Sequence, residues 1–151
     1  MSSVRRLFST DRQREINGVE VTIGDAFFTL ARAGGDNKAF IKALEKYARP
    51  HRRAIQLEAV SDEIATEIVH RTYAETVVKN WSGLDESDLI MDGSQVDEGK
   101  VYPPLPFSAA NCLKLFKAQP DLFMALKAAA DDFTNYRQVT READGKNSPT
   151  V

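Results

Sequence analysis

At 151 residues, with 42% hydrophobic and 28% charged positions and a mean hydropathy of −0.37, the chain has the composition of one ordinary globular domain, which excludes wholesale disorder. No apolar run approaches the roughly 20 residues that span a membrane, and the single cysteine, Cys112, excludes an intramolecular disulfide and fits a reducing cytoplasm. The net charge of −2 is unevenly spread: residues 1–57 carry 11 Lys/Arg against 6 Asp/Glu, and residues 58–151 carry 9 against 16. Such an asymmetry suits plain surface solubility, and it would also suit head-to-tail self-association.

Residues 1–16 are polar and basic and read as a flexible N-terminus. Arg5, Arg6 and the nearby serines faintly suggest a transit peptide, but Asp11 and Glu15 follow too soon. Asn17-Gly18 signals a turn, and Val19, Val21 and Ile23 then alternate with Glu20 and Thr22, which is strand periodicity. A short partner strand near residues 4–8 would complete a hairpin. Asp25 can cap a short helix carrying Phe27, Phe28 and Leu30, stopped by Gly34-Gly35. Asp36 starts the next helix, with Phe40, Leu44 and Tyr47 on one face; it ends at Arg49-Pro50, because the residue before proline disfavours helical geometry.

The longest helical pattern runs from about Ser61 to Trp81. Ser61 is its N-cap, Asp62 and Glu63 suit the positive end of the helix dipole, and Ser82-Gly83 closes it. An acidic, Pro-containing connector occupies residues 83–107, with Asp85, Glu86, Asp88, Asp92, Asp97 and Glu98, and with Tyr102-Pro103-Pro104-Leu105-Pro106 extended. Ser108 caps a helix with Leu113 and Phe116 facing inward, Gln119-Pro120 breaks it, and a second helix runs from Pro120 to about Arg137. Residues 139–151 form a polar C-terminal tail. The expected fold is mainly α: one small helical domain over residues 17–138 with a short N-terminal β-hairpin or strand.

Catalytic, metal and cofactor chemistry find no support in these elements. His51 and His70 are far apart in sequence, and neither has a second ligand at helical spacing. Read as a calcium loop around Gly93, the connector would put Ile90 at position three and Gly99 where a bidentate carboxylate belongs. Cys112 sits between Asn111 and Leu113 on an apolar helix face with no adjacent base. Glu63/Glu67 and Asp131-Asp132 read as solvated helical carboxylates. Ala33-Gly34-Gly35-Asp36 lacks the Gly-Lys-Ser/Thr of a phosphate loop. The two helices from Ser108 to Arg137 are vaguely like a helix-turn-helix, but the second carries Asp121, Asp131 and Asp132, the wrong sign for a phosphate-rich surface. Arg49, Arg52 and Arg53 are the one dense basic cluster, without interleaved aromatics. Trp81 reads as a helix-end core residue or an interface anchor.

Several pieces then stand in a distinctive order. Ala31-Arg32-Ala33-Gly34-Gly35-Asp36-Asn37-Lys38-Ala39-Phe40 is followed by the Arg49-Pro50 step, by Val77-Val78-Lys79-Asn80-Trp81-Ser82-Gly83 and by an acidic insert. Pro106-Phe107-Ser108-Ala109-Ala110-Asn111, Gln119-Pro120-Asp121-Leu122-Phe123 and Lys146-Asn147-Ser148 complete the series. From about Gly18 to Ser148 this order resembles the tail assembly chaperones of long-tailed bacteriophages and prophages. The resemblance implies a mostly helical, non-enzymatic assembly factor of the host bacterial cytoplasm, without cofactor. Such a factor would bind the tape-measure protein, assist tail-tube assembly through the tail-tube protein, and leave before the virion matures. A binder of this kind needs an adaptable apolar groove, which Phe116, Leu122, Phe123, Met124 and Leu126 could line, although each could equally be core; the partner-binding residues stay open. The alternatives are a virion structural component, such as a tail-completion or head–tail connector protein, and a helical DNA-binding regulator.

Overall fold

The computed structural model describes residues 3–138. Two short helices open it, α1 (Ser3–Phe8) and α2 (Arg12–Asn17). The Asp11 carboxylate accepts from the Gln13 N–H at 2.9 Å, satisfying one of the free donors of α2's first turn, and Gly18, at φ +101°, closes the helix through its N–H to the Arg14 carbonyl. The polar composition of residues 1–16 concealed both helices.

Strands β1 (Val19–Ile23) and β2 (Ala26–Leu30) form an antiparallel hairpin in which Val19 faces Leu30 and Ile23 faces Ala26. The partner of the first strand is therefore the segment expected as an Asp25-capped helix, and residues 4–8 are helical. Gly24-Asp25 is a two-residue turn with Gly24 at φ +59°, a hairpin geometry that glycine enters without steric cost. Ala26, Phe28 and Leu30 point into the core while Phe27 is exposed and Thr29 half-buried, so the period is two.

Helix α3 (Lys38–Ala48) runs into a 3-10 turn at Arg49–His51 and the short α4 (Arg52–Gln56). Helix α5 (Asp62–Thr76) is capped by Ser61, whose hydroxyl accepts from the Ile64 N–H at 3.2 Å. It stops five residues before Trp81, and β3 (Val78–Ser82) continues as a strand along β2, pairing Phe28 with Trp81 and Leu30 with Val78 across a bulge at Thr29/Leu30. The order is β1-β2-β3, all antiparallel. The expectation of a mainly α fold with a short hairpin is thus corrected: the protein is mixed α/β, with helices packed on a three-stranded sheet. The cause is tertiary. Val77, Val78 and Trp81 are all buried, which satisfies a helical spacing on paper, but β2 has an open edge whose backbone groups bind this segment.

The two ends of the connector are joined where Glu86 N–H meets the Pro103 carbonyl at 2.9 Å and Leu105 N–H meets the Leu84 carbonyl at 3.0 Å, and between them a 3-10 turn at Glu86–Leu89 packs Leu89 on the core and takes a bond from the Gln119 side chain to the Asp88 carbonyl at 3.1 Å. Leu105 then accepts from the Trp81 indole N–H at 2.8 Å, and Phe107 packs edge-on to that ring. Helices α6 (Ala109–Ala118) and α7 (Pro120–Asp131) follow, the first capped by Ser108; α7 stops short of the expected Arg137, and a 3-10 turn at Phe133–Tyr136 succeeds it. Phe28, Val77, Cys112, Leu115, Phe116 and Leu126 join in one core between sheet and helices.

Candidate functional site

The segment Ala31 to Asn37 forms a polar knot. Its backbone is bonded to three other elements: Ala31 N–H to Val77, Arg32 N–H to Glu15, and Ala33 N–H to Ala130. Glu15, 1% exposed, binds the Arg32 guanidinium and accepts from the Asp36 N–H at 3.2 Å. Burial works against its charge, but these partners outweigh it and hold the carboxyl below its ordinary 4.5. The buried Asn37 amide donates to the Arg32 and Thr76 carbonyls at 2.8 and 2.9 Å. A Cβ on Gly35 would lie 2.6 Å from the Glu15 carboxylate.

The surface feature that could hold a partner is an open apolar groove of about 590 Å³. One bank is α5, presenting Ala65, Val69 and His70; the other is the end of α6 and the first turns of α7, presenting Phe116, Phe123 and Met124, with Lys117 and Lys127 on the rim. Pro120, Phe123, Met124 and Lys127 recur at helical spacing, so a single face of α7 lines the groove. His70 lies on the floor, 7% exposed, its ring 4.5 Å from Phe123 and 5.4 Å from Phe116 edge to face. Its Nδ1 has no hydrogen-bond partner. Burial pushes the imidazole below its ordinary 6.5, and Lys117 adds to this against the opposing pull of Glu67. Met124 is 57% exposed, an unusual state for a large apolar side chain beside a buried aromatic cluster.

Of the residues expected to line a groove, Phe116, Phe123 and Met124 do so. Leu126 is core, and Leu122 lies on the other side of α7 beside Phe28 and Leu84. The opposite bank was missed in the sequence, because Ala65 and Val69 repeat at the same i, i+4 spacing as any buried stripe. Arg49, Arg52 and Arg53 lie exposed on α4 and the turn before it, outside the groove. Lys146-Asn147-Ser148 lies outside the described residues.

Cys112 is buried in the core, its thiol pushed up to about 12 by desolvation, and Trp81 is likewise core. Of the carboxylates, Glu67 pairs with Arg71, and Asp131 accepts from the Tyr73 hydroxyl at 2.9 Å and pairs with Lys127 at 2.8 Å. His51 sits near Pro50 against the neighbouring face of α5. Among the described residues no three His, Cys, Asp or Glu gather as a metal-binding group, and no helix is long and apolar enough to cross a membrane.

A family model described as YdaY prophage protein matches residues 35–147, a span that opens at the knot glycine and takes in both banks of the groove. No curated protein and no solved structure matches the chain. The family match agrees with the phage context of the resemblance but is to a prophage family, not to the tail assembly chaperones themselves.

Proposed function

The chain belongs to the YdaY prophage protein family, and from that membership together with the groove we propose that it is a non-enzymatic tail assembly chaperone that binds the tape-measure protein in the host cytoplasm and assists tail-tube assembly. The observation that carries this reading is the open apolar groove between α5 and α7, with Met124 exposed at its lip. A long helical protein awaiting assembly exposes apolar stripes that aggregate, and a groove between two helices is the natural receptor for such a stripe. Outside the groove, Glu15, Arg32 and Asn37 are tied together in the knot, and Ser61 and Ser108 cap helices.

The test is affinity purification of the tagged protein from cells producing the phage, with mass spectrometry, beside an analysis of purified virions. The expected result is co-purification of a long tape-measure protein with none of the bait in virions. Bait at fixed stoichiometry in virions would overturn the reading in favour of a tail-completion or connector component. Salt-dependent DNA binding without a protein partner would favour a regulator.

A further inference from the structure

We infer that the protein associates with itself head to tail: the basic α3–α4 surface of one copy takes the acidic connector of the next, with Met91 seated between Arg49 and Arg52.

The receiving surface is the chain's dense run of positive charge. Residues 38–56 hold six Lys/Arg and a single carboxylate, Glu45. Lys38, Lys42 and Lys46 recur one turn apart on α3, and Arg49, Arg52 and Arg53 follow on the 3-10 turn and α4. All six are exposed, and none enters an ion pair among the described residues. Arg49 and Arg52 rim a hollow of about 330 Å³ that Ala48 and Ile55 line with apolar surface, Glu45 being the one carboxylate beside it. Leu57, 67% exposed, stands just past the end of α4. A phosphate backbone would answer this charge but not Ile55 and Leu57. An acidic segment that also carries an apolar side chain answers both.

The chain supplies that segment itself. Residues 85–98 contain six Asp/Glu and no Lys or Arg. Glu86, Asp92, Asp97 and Glu98 are exposed, and Met91, 77% exposed, directly precedes Asp92. An unbranched methionine adapts to an irregular hollow, and seated beside Ile55 it would bring Asp92 to Arg49 and Arg52. Within one copy the two surfaces lie on opposite sides of α5. Ile64, Ile68 and Arg71 face Lys46, Pro50 and His51, whereas Val69 and His70 face Phe116 of α6, to whose end the connector is tied by the Gln119–Asp88 bond. The contact is therefore between copies. Being made of two different surfaces, it repeats from copy to copy and grows a chain or closes a ring. It uses no residue of the α5–α7 groove.

Sedimentation velocity on the full chain over a concentration series tests this. The mass is expected to climb past that of two copies at about 50 mM salt and to return to that of one copy by about 500 mM, as screening shortens the reach of the charges. At low salt, Arg49→Ala/Arg52→Ala and Met91→Ser/Asp92→Ser are each expected to stay single copies, with unchanged circular dichroism spectra. Mixed in equal amounts, these two variants hold one intact connector and one intact surface between them, so they should pair and stop at two copies. A single copy of the unaltered chain at every concentration, association indifferent to salt, or a mixture that stays unpaired overturns the proposal. So does salt-sensitive retention of plasmid DNA by an unaltered chain that sediments as one copy, lost in Arg49→Ala/Arg52→Ala, because the surface would then belong to a phosphate backbone.

Discussion

Glu15 and His70 are both buried and titratable, and they make opposite use of burial. Glu15 is kept charged by Arg32 and the Asp36 N–H, so its folded pKa is lowered. The stability it contributes is present above its ordinary 4.5 and is lost as pH falls below that value. Glu15→Gln keeps the shape but removes the charge; it is expected to cost about 1–3 kcal/mol in denaturant unfolding at neutral pH, and to flatten the acid limb of the stability curve. Gly35→Ala acts on the same knot through sterics. At φ +54°, with the added carbon crowding Glu15 and the Arg32 side chain, a loss of about 1–2 kcal/mol is expected by thermal melting. His70 is kept neutral, so its contribution is present above 6.5 and lost as pH falls. Between about pH 7.5 and about pH 5.5, where free carboxylates stay ionised, the melting temperature of the unaltered chain should fall and that of His70→Leu should hold level. A parallel fall in both would show that the imidazole is not the titrating group.

At the scale of elements, the legible features were those written in local chemistry. Ser61 and Ser108 cap the helices they were expected to cap, and Pro120 opens α7 at its first position. Ser108→Ala is accordingly expected to lower stability by about 1 kcal/mol, measured by denaturant melts, since the Asn111 N–H loses its acceptor. What stayed hidden was set by partners distant in sequence. Trp81 lies four residues beyond Val77 and eight beyond Tyr73, a helical spacing that the open edge of β2 overrides by binding Val78–Ser82 as a strand. Phe27-Phe28 reads as either period until one knows that Phe28 faces the sheet's covered side and Phe27 the solvent. The groove was half legible for the same reason. The α7 residues could be proposed from one amphipathic face, but the α5 bank exists only because α6 places Phe116 beside His70 and brings α7 alongside.

Across the whole molecule, residues far apart in sequence are tied by backbone bonds. Asp11 N–H reaches the Tyr136 carbonyl at 2.7 Å, and Gln138 N–H reaches the Ser9 carbonyl at 3.2 Å, so the first described helices close over the last turn. The Tyr136 hydroxyl in turn donates to Leu30 at 3.1 Å, fastening that closure to the sheet. The connector behaves differently. Its neck is shut by the Glu86–Pro103 and Leu84–Leu105 bonds, and Met91 and Val101 beyond it stand in solvent. Replacing residues 91–100 with a short Gly-Ser link is therefore expected to change unfolding free energy by less than about 0.5 kcal/mol, checked by chemical denaturation. A neck of this kind is a splice point: chain can be added, removed or fitted with a reporter above it while Trp81 below still finds the same carbonyl. Residues 91–100 thus carry length and charge outside the packed core, and a tag inserted there would watch the protein at work without touching either bank of the groove.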